Sequence, residues 1–455
     1  MDFSALDAAV DTALPAVLDE LSDLVAIPSV AAKSNSPMHQ GAEAIARLFE
    51  KRGFLARLSE TNGGPPVVYA EDRSAGVDAP TVLLYNHYDV QPAEPLDLWT
   101  SDPWTLRREG DLLYGRGTSD DKGHIACRLL ALDALKAVHG SLPVNVKALI
   151  EGEEEIASPH LESWMAQNAA LLNADVTLWE FGGVDETGRP KLFCGLRGIA
   201  YFELSVQSIK EDAHSGVGGS IFPNAAWRLV WALATLKTSD ERVQLPGHYE
   251  AIQPFTEADR AMLEGLPHAD EAHSRTSTGL SEFLGGVTGA EWHRRQAFEP
   301  TCTICGLTSG WQGEGAKTII PARASAKVDF RLVPDQTPEQ VERSLRAHLD
   351  AHGFSDVEIK LLGGQRPARI PPDHPLVQLA AQTAEEVYGV KPAIWPLNPA
   401  TGPIHPFVVG LNQPIAVIGC GYPDSNVHAP DENLRISDLV NGAKHTARFL
   451  ARLAS

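Results

Sequence analysis

Two histidines and a set of carboxylates stand where apolar, strand-like runs of this sequence give way to polar residues. His87 and Asp89 close the run TVLLYNHYD, so at a strand end their side chains project to one face. Glu151, Glu153, Glu154 and Glu155 follow directly on VNVKALI, Glu180 ends DVTLWE, and His428 comes shortly after IAVIGCG in GYPDSNVHAPDENL. Between them, YGRGTSDDKGHIA sets Asp120 and Asp121 at the start of a helical pattern, behind glycines at 115 and 117. Taken singly, each has an ordinary reading: a solvated strand end, a helix cap or a solvated acidic face. Gathered into one crevice, adjacent carboxylates repel unless protons or cations relieve them. Two imidazoles with several carboxylates form a donor set that zinc accepts. Five ligands shared by two ions require one bridging carboxylate, which is a dinuclear site with ions ~3.5–4 Å apart that activates water. A phosphate-binding reading of the Gly-rich loop fails on charge, because two aspartates at the helix start would compete with the anion.

The elements that must position these residues are legible as alternating patterns. From residue 4 to about 200, helical stretches such as GAEAIARLFEKRGF and HIACRLLALDALKAV alternate with the strands TVLLYNHYDV, VNVKALI and DVTLWE. Such alternation predicts an α/β fold with a mostly parallel sheet flanked by helices, and ligands on such sheets gather at the carboxyl ends of strands. After GLRGIA the texture changes to YFELSVQ, the helix NAAWRLVWALATLK, a looser acidic stretch near residues 250 to 300, ASAKVDFRLV, TPEQVERSLRAHLDAHGF and VEIKLL. That order predicts an inserted α+β unit with an antiparallel sheet. The first texture resumes with LVQLAAQTAEEVYG, PIAVIG and SDLVNGAKHTARFLARL. The expected organisation is a catalytic domain of residues 1–199 and 368–455, interrupted by a lid or dimerisation domain of residues 200–367.

Composition narrows the function classes. The 455 residues carry 38 Lys plus Arg against 59 Asp plus Glu, a formal charge of -21 that disfavours nucleic acid and anionic lipid as partners. No apolar run approaches the ~20 residues that span a bilayer, and the acidic, amphipathic start lacks the pattern of an export signal. Five scattered cysteines point to a reducing compartment, hence the cytoplasm. Cys302 and Cys305 form a C-x-x-C, but PTCTICGLTSG reads as a strand with no second ligand pair nearby.

Eight segments in order, NHYDVQP, GRGTSDDKG, EGEEEIAS, GLRG, AHSGVGGS, AKTIIPA, DFRLVPDQTP and SNVHAPDENL, make the chain resemble the M20 zinc metallopeptidases, most closely the cytosolic nonspecific dipeptidase and carnosinase branch. The resemblance implies two zinc ions per subunit, with manganese or cobalt also accommodated by such donors. His87, Asp120 and Glu180 would hold one, and Asp120, Glu155 and His428 the other. It implies Glu154 as general base, Asp89 as the residue orienting His87, and a cis peptide bond from Asp120 to Asp121. His214 would reach the active site of a partner subunit in a homodimer. Arg331, whose planar fork suits a substrate carboxylate, Thr318, Gly402 and His405 would contact substrate. The implied activity is hydrolysis of an amide bond in dipeptides or short peptides with a free C-terminal carboxylate. The alternatives are an N-acyl amino acid hydrolase with the same mechanism and an inactive scaffold, although all five ligand positions and the base are filled. Two departures bear on substrate class: Glu180 stands where dipeptidases usually carry Asp, and Pro403 replaces a serine of the dipeptidase branch.

Overall fold

The computed structural model describes residues 2–250 and 252–455. Its principal strands, in chain order, are β1 (Leu55–Ser59), β2 (Val67–Asp72), β3 (Thr81–His87), β4 (Asn145–Glu151), β5 (Val176–Trp179), β6 (Gly195–Gln207), β7 (Thr301–Ser309), β8 (Arg323–Leu332), β9 (Glu358–Gln365) and β10 (Ile415–Val417). The principal helices are α1 (Ser4–Val25), α2 (Met38–Lys51), α3 (Lys122–His139), α4 (Ala225–Leu236), α5 (Pro338–Ala351), α6 (Pro375–Tyr388) and α7 (Ile436–Leu453).

One six-stranded sheet runs β1-β2-β4-β3-β5-β10, with β4, β3, β5 and β10 parallel and β2 antiparallel to its neighbours. Its central strands are buried on both faces, which is why VNVKALI and DVTLW are continuous apolar runs without alternation. On one face α1, α2, α3 and α7 enclose a core that includes Val82, Leu84, Leu130 and Phe449. On the other, Tyr85 stacks on Trp179 with ring centroids 4.3 Å apart, and Phe407 closes on both. The parallel register aligns His87 with Glu151 and Leu84 with Leu178, so the polar segments after β3, β4 and β5 emerge along one edge.

A second sheet, β7-β8-β6-β9, is wholly antiparallel and carries α4 and α5 on one face, packed through Phe202, Phe330, Leu229 and Leu345. Strand β6 belongs to both regions: its first residues pair with Arg369 and Asn398, and its remainder with β8 and β9. The stretch read as loose near residues 250 to 300 contains three helices, Glu257–Glu264, Ala269–Thr278 and Gly289–Phe298. The first and third of these close on Trp395 and Leu397 through Leu263, Trp292 and Phe298. Among the described residues, no helix is long and apolar enough to cross a membrane, and the five cysteines are unpaired.

The start of α3 is fixed sterically. A Cβ on Gly123 would lie 1.9 Å from the Thr118 carbonyl oxygen and 2.7 Å from Leu434. Gly123→Ala is expected to cost about 2 kcal/mol or more, because the Thr118 carbonyl is backbone and cannot turn away. The measurement is a fall in the urea midpoint at constant slope. Gly363→Ala, where a Cβ would meet nothing within 4 Å, is expected to leave the midpoint within experimental scatter.

Candidate metal centre and substrate site

Asp120 sits at the middle of the crevice. Its Oδ1 lies 3.0 Å from His87 Nε2 and its Oδ2 lies 2.9 Å from His428 Nε2, so one carboxylate faces two imidazoles. His428 Nε2 is also 3.1 Å from Glu155 Oε2, and His87 Nε2 is 3.9 Å from Glu180 Oε2. Two groups of potential ligand atoms result, each with all members within 4.8 Å of one another: His87, Asp121 and Glu180, and Asp120, Glu155 and His428. Asp121 is the addition to the set expected from the sequence. Its Oδ2 accepts hydrogen bonds from Asn86 Nδ2 and the His87 backbone N–H, while Oδ1 is buried without a partner. The Asp120–Asp121 peptide is cis.

The elements explain the convergence. His87 is the last residue of β3, Glu180 follows β5, and Glu154 and Glu155 lie in the turn after β4. Asp89 ties two of these together: its carboxylate accepts from the backbone N–H groups of Glu154 and Glu155 at 3.2 and 3.0 Å, and its Oδ1 lies 3.3 Å from His87 Nδ1. The His87 Nδ1 is also 3.1 Å from the Asp89 carbonyl oxygen, which leaves Nε2 to face Asp120. From α3, the buried Arg128 donates to the carbonyls of Trp179 and Ile418, gathering the ends of β5 and β10 next to Glu180.

Glu432 is the residue that sequence reasoning missed most plainly. Fully buried, it accepts from Arg116 Nη1 at 2.7 Å and from the backbone N–H groups of Gly117, Ser119 and Asp120 at 2.9 to 3.0 Å. One carboxylate thereby moulds the glycine-rich loop and fixes the backbone of Asp120. The signal was present in HAPDENL, four residues after His428, but a single acid in a polar loop carries no sign of burial.

Burial and surrounding charge set the protonation of the cluster. Burial, with Asp120 nearby, pushes Glu154 and Glu180 well above the usual carboxylate range, and Asp121 up to about 7. Burial would raise Asp120 as well, but hydrogen bonds from His428 and His87 hold it well below its ordinary value. Hydrogen bonds to Asp120 and Glu155 raise His428 to about 10. Both oxygens of Glu180, at 0% exposure, and Oε1 of Glu155 lack any hydrogen-bond donor. Carboxylate oxygens buried without donors are stabilised by a cation, and the N/O donor set fits divalent zinc, manganese or cobalt.

The remaining sequence candidates fall in three places. Gly402 packs beside the base: a Cβ there would lie 3.7 Å from Glu154 Oε1 and 3.2 Å from Leu196. Arg331, near the end of β8, donates from Nη1 to Thr401 Oγ1 at 2.8 Å, reaching from the antiparallel sheet to the segment before Gly402. His405 lies with Glu162, Glu339 and Arg366 around a separate small cavity, its Nδ1 buried without a partner. His214 and Thr318 lie side by side on an exposed ribbon, where Ser215 N donates to Thr318 O and Ile319 pairs with His214. Among the described residues neither hydrogen-bonds to the cluster. His214 Nδ1 accepts from Gly216 N at 3.0 Å, so a neutral ring carries its proton on Nε2, away from the ribbon.

Imidazoles and carboxylates collected at the carboxyl ends of parallel strands, beside an inserted antiparallel unit, define a metal-dependent hydrolase. The family model for "Peptidase family M20/M25/M40" matches residues 83–452, and the chain belongs to that family of metallopeptidases. It is 30% identical to a Beta-Ala-His dipeptidase of Rattus norvegicus over 86% of this chain and 80% of that protein. It is 28% identical to a Cys-Gly metallodipeptidase of Schizosaccharomyces pombe over 100% of this chain and 99% of that protein. Among solved structures it superposes on an M20 family metallo-carboxypeptidase of Sulfolobus solfataricus with a TM-score of 0.90 at 35% identity, covering 96% of this chain and 99% of that one.

Removing Glu432 should be costly out of proportion to its size. Glu432→Ala leaves the Arg116 guanidinium buried beside three unpaired N–H groups, with an expected loss of about 3–5 kcal/mol in urea unfolding. A double-mutant cycle with Arg116→Ala should show coupling between the two sites, with the double variant less destabilised than the sum of the singles.

Proposed function

We propose that this protein is a dinuclear-zinc dipeptidase, cleaving the amide bond of dipeptides or short peptides with a free C-terminal carboxylate. The observation that carries the reading is Asp120, one carboxylate held 3.0 and 2.9 Å from the imidazoles of two adjoining ligand groups. His87, Asp120 and Glu180, with Asp121 alongside, would hold one ion, and Asp120, Glu155 and His428 the other. When bound, such ions supply Lewis acidity and bring the pKa of water toward ~7. Glu154 takes the proton from the attacking water and delivers it to the leaving nitrogen, a role suited to a carboxyl in the turn after β4, next in the chain to Glu155 of the ligand cluster. Asp89 keeps His87 oriented and holds the turn that presents Glu154. Arg331 pairs with the substrate carboxylate, and Gly402 leaves room for substrate beside Glu154.

His214 and Thr318 enter the reading through a second copy of the chain. Helix α4 buries Leu229 and Leu233 but turns Trp227 and Trp231 outward, 57% and 55% exposed and stacked at 5.7 Å. Val217, Ile221 and Phe222 extend this apolar surface from the His214 ribbon. Contiguous exposed apolar patches of this kind mark interaction surfaces. Pairing two copies through it would cover the patch and carry each His214 toward the partner's crevice, where its Nε2–H would stabilise the oxyanion. His405 would then contribute from the margin of the site. Free cysteines and the acidic surface favour a cytoplasmic setting, with neither nucleic acid nor membrane as partner.

Three measurements test this reading. Elemental analysis should return two zinc ions per chain, and Glu154→Gln should keep them while lowering kcat by about 10²–10⁴-fold; an unaltered kcat would sink the assignment of the base. A panel of dipeptides against N-acetyl and N-succinyl amino acids should show turnover of the dipeptides, and hydrolysis of the acylated set alone would replace the dipeptidase with an N-acyl amino acid hydrolase. Mixing equal amounts of the inactive Glu154→Gln and His214→Ala proteins should restore about a quarter of wild-type activity, since half the dimers then contain one complete site. No recovery, with subunit exchange verified by sedimentation, would confine His214 to its own chain.

A further inference from the structure

Beside the ligand cluster, a cavity of about 270 Å³ opens between the loops that carry Glu180 and His428. Phe181, Val184, Phe193, Leu196, Tyr422 and Val427 supply its apolar wall, and Lys191, which also lines it, is ion-paired with Glu186 and Asp270 at 3.9 and 3.7 Å. Three of its lining residues are chain neighbours of cluster members: Ser119 of Asp120, Phe181 of Glu180 and Val427 of His428. The cavity therefore adjoins the chain segments that carry three cluster members. Thr401, which accepts the hydrogen bond from Arg331, also lines it.

The cavity is built rather than left over. His124, 1% exposed, lines it with its ring edge-on to Phe181, 5.9 Å between centroids, and its Nδ1 has no hydrogen-bond partner. Gly419 keeps the space around that ring: a Cβ there would lie 2.5 Å from His124 Cε1. Burial pushes the imidazole pKa down to about 3, so the ring is neutral and adds no charge to the apolar wall.

We infer that this cavity receives the side chain on the amino side of the scissile bond, and that its aromatic and aliphatic wall selects substrates bearing a bulky apolar residue there. The inference rests on the dipeptidase reading and deepens it. The residue whose carbonyl is attacked has its Cα bonded directly to that carbonyl carbon, so its side chain is near enough to enter a cavity walled by the neighbours of Asp120, Glu180 and His428. The carboxylate of the following residue lies at the Thr401 edge of the cavity, toward Arg331. Each methylene buried in such a wall raises the specificity constant roughly fourfold, which makes the preference readable from a short substrate series.

The test measures kcat/KM for X-Gly and Gly-X dipeptides with X as Ala, Leu and Phe. Expected is a rise of at least about tenfold from Ala-Gly to Leu-Gly or Phe-Gly, with a shallower dependence in the Gly-X series. Ala400 is exposed and lines the same cavity, so Ala400→Trp and the milder Ala400→Leu fill it without disturbing the core. Both should lower the Phe-Gly to Ala-Gly ratio, the Trp variant at least about fivefold. Calorimetric binding of Phe-Gly and Ala-Gly to Glu154→Gln supplies a readout independent of turnover. If no dipeptide is cleaved, the dipeptidase reading fails, and the binding ratio still decides whether the cavity selects bulk. A flat X-Gly profile, a preference confined to the Gly-X series, equal binding of Phe-Gly and Ala-Gly, or a ratio unchanged in both Ala400 variants would overturn the inference.

Discussion

The crowding of negative charge around Asp120 is the constraint to which the rest of the molecule answers. Asp89, Asp120, Asp121, Glu154, Glu155 and Glu180 converge on two histidines in a largely buried crevice. Like charges at such separations in a low dielectric repel strongly. The chain relieves part of this with the imidazoles and part with backbone N–H groups, to which Asp89 and Asp121 are committed. What it does not relieve is localised: the oxygens of Glu180, one of Glu155 and one of Asp121 have no protein donor. The residual demand for positive charge is thus placed at potential ligand atoms, while Asp89 is hydrogen-bonded into the frame by the turn after β4.

Holding such an arrangement needs rigid attachments from distant parts of the chain. Glu432 reaches the loop before α3 across more than three hundred residues of sequence, and it binds backbone groups rather than side chains. That choice fixes the direction of Asp120 without using either of its oxygens. Arg128 does the same for Glu180, bonding the carbonyls of Trp179 and Ile418 rather than the carboxylate itself. His428 is held in the left-handed region at φ 63°, in a loop where Asn426 and Asp431 are also at positive φ. Asp431 is anchored by Thr100 through two hydrogen bonds of 2.9 and 2.6 Å. These supports make backbone position, more than side-chain packing, the source of the site's geometry.

The division between what was legible in the sequence and what was not follows from the same physics. Strand ends could be located because a doubly covered parallel sheet demands unbroken apolar runs, so His87 and Glu180 appear where TVLLYN and DVTLW stop. The α/β architecture and the antiparallel insert followed from the same periodicities. The helices between residues 257 and 298 were not legible because their apolar residues are sparse and meet partners far along the chain, Trp395 and Leu397. Asp121 and Glu432 escaped because burial of an acid depends on donors brought by tertiary structure. Strand β6 runs unbroken through the boundary read at residue 199, since a texture change marks where pairing partners change, not where a strand stops.

The net charge of -21 gives the substrate question an electrostatic side. An acylated amino acid is anionic overall and is repelled by this chain until it comes within about a Debye length, ~8 Å, of Arg331. A dipeptide is a zwitterion, so the field that repels its carboxylate attracts its amine. Steering by such a field therefore orients a dipeptide, amine inward toward the carboxylates, rather than excluding it. The guanidinium of Arg331, bonded to Thr401 at the antiparallel sheet, is the place proposed for the trailing carboxylate. An acidic crevice with the Arg331 guanidinium at its margin suits the dipole of a short peptide with both ends free better than it suits an N-acylated acid. That sign argument weighs for the peptide reading independently of resemblance, and it sets against Glu180 and Pro403 a property of the whole surface rather than of one more residue.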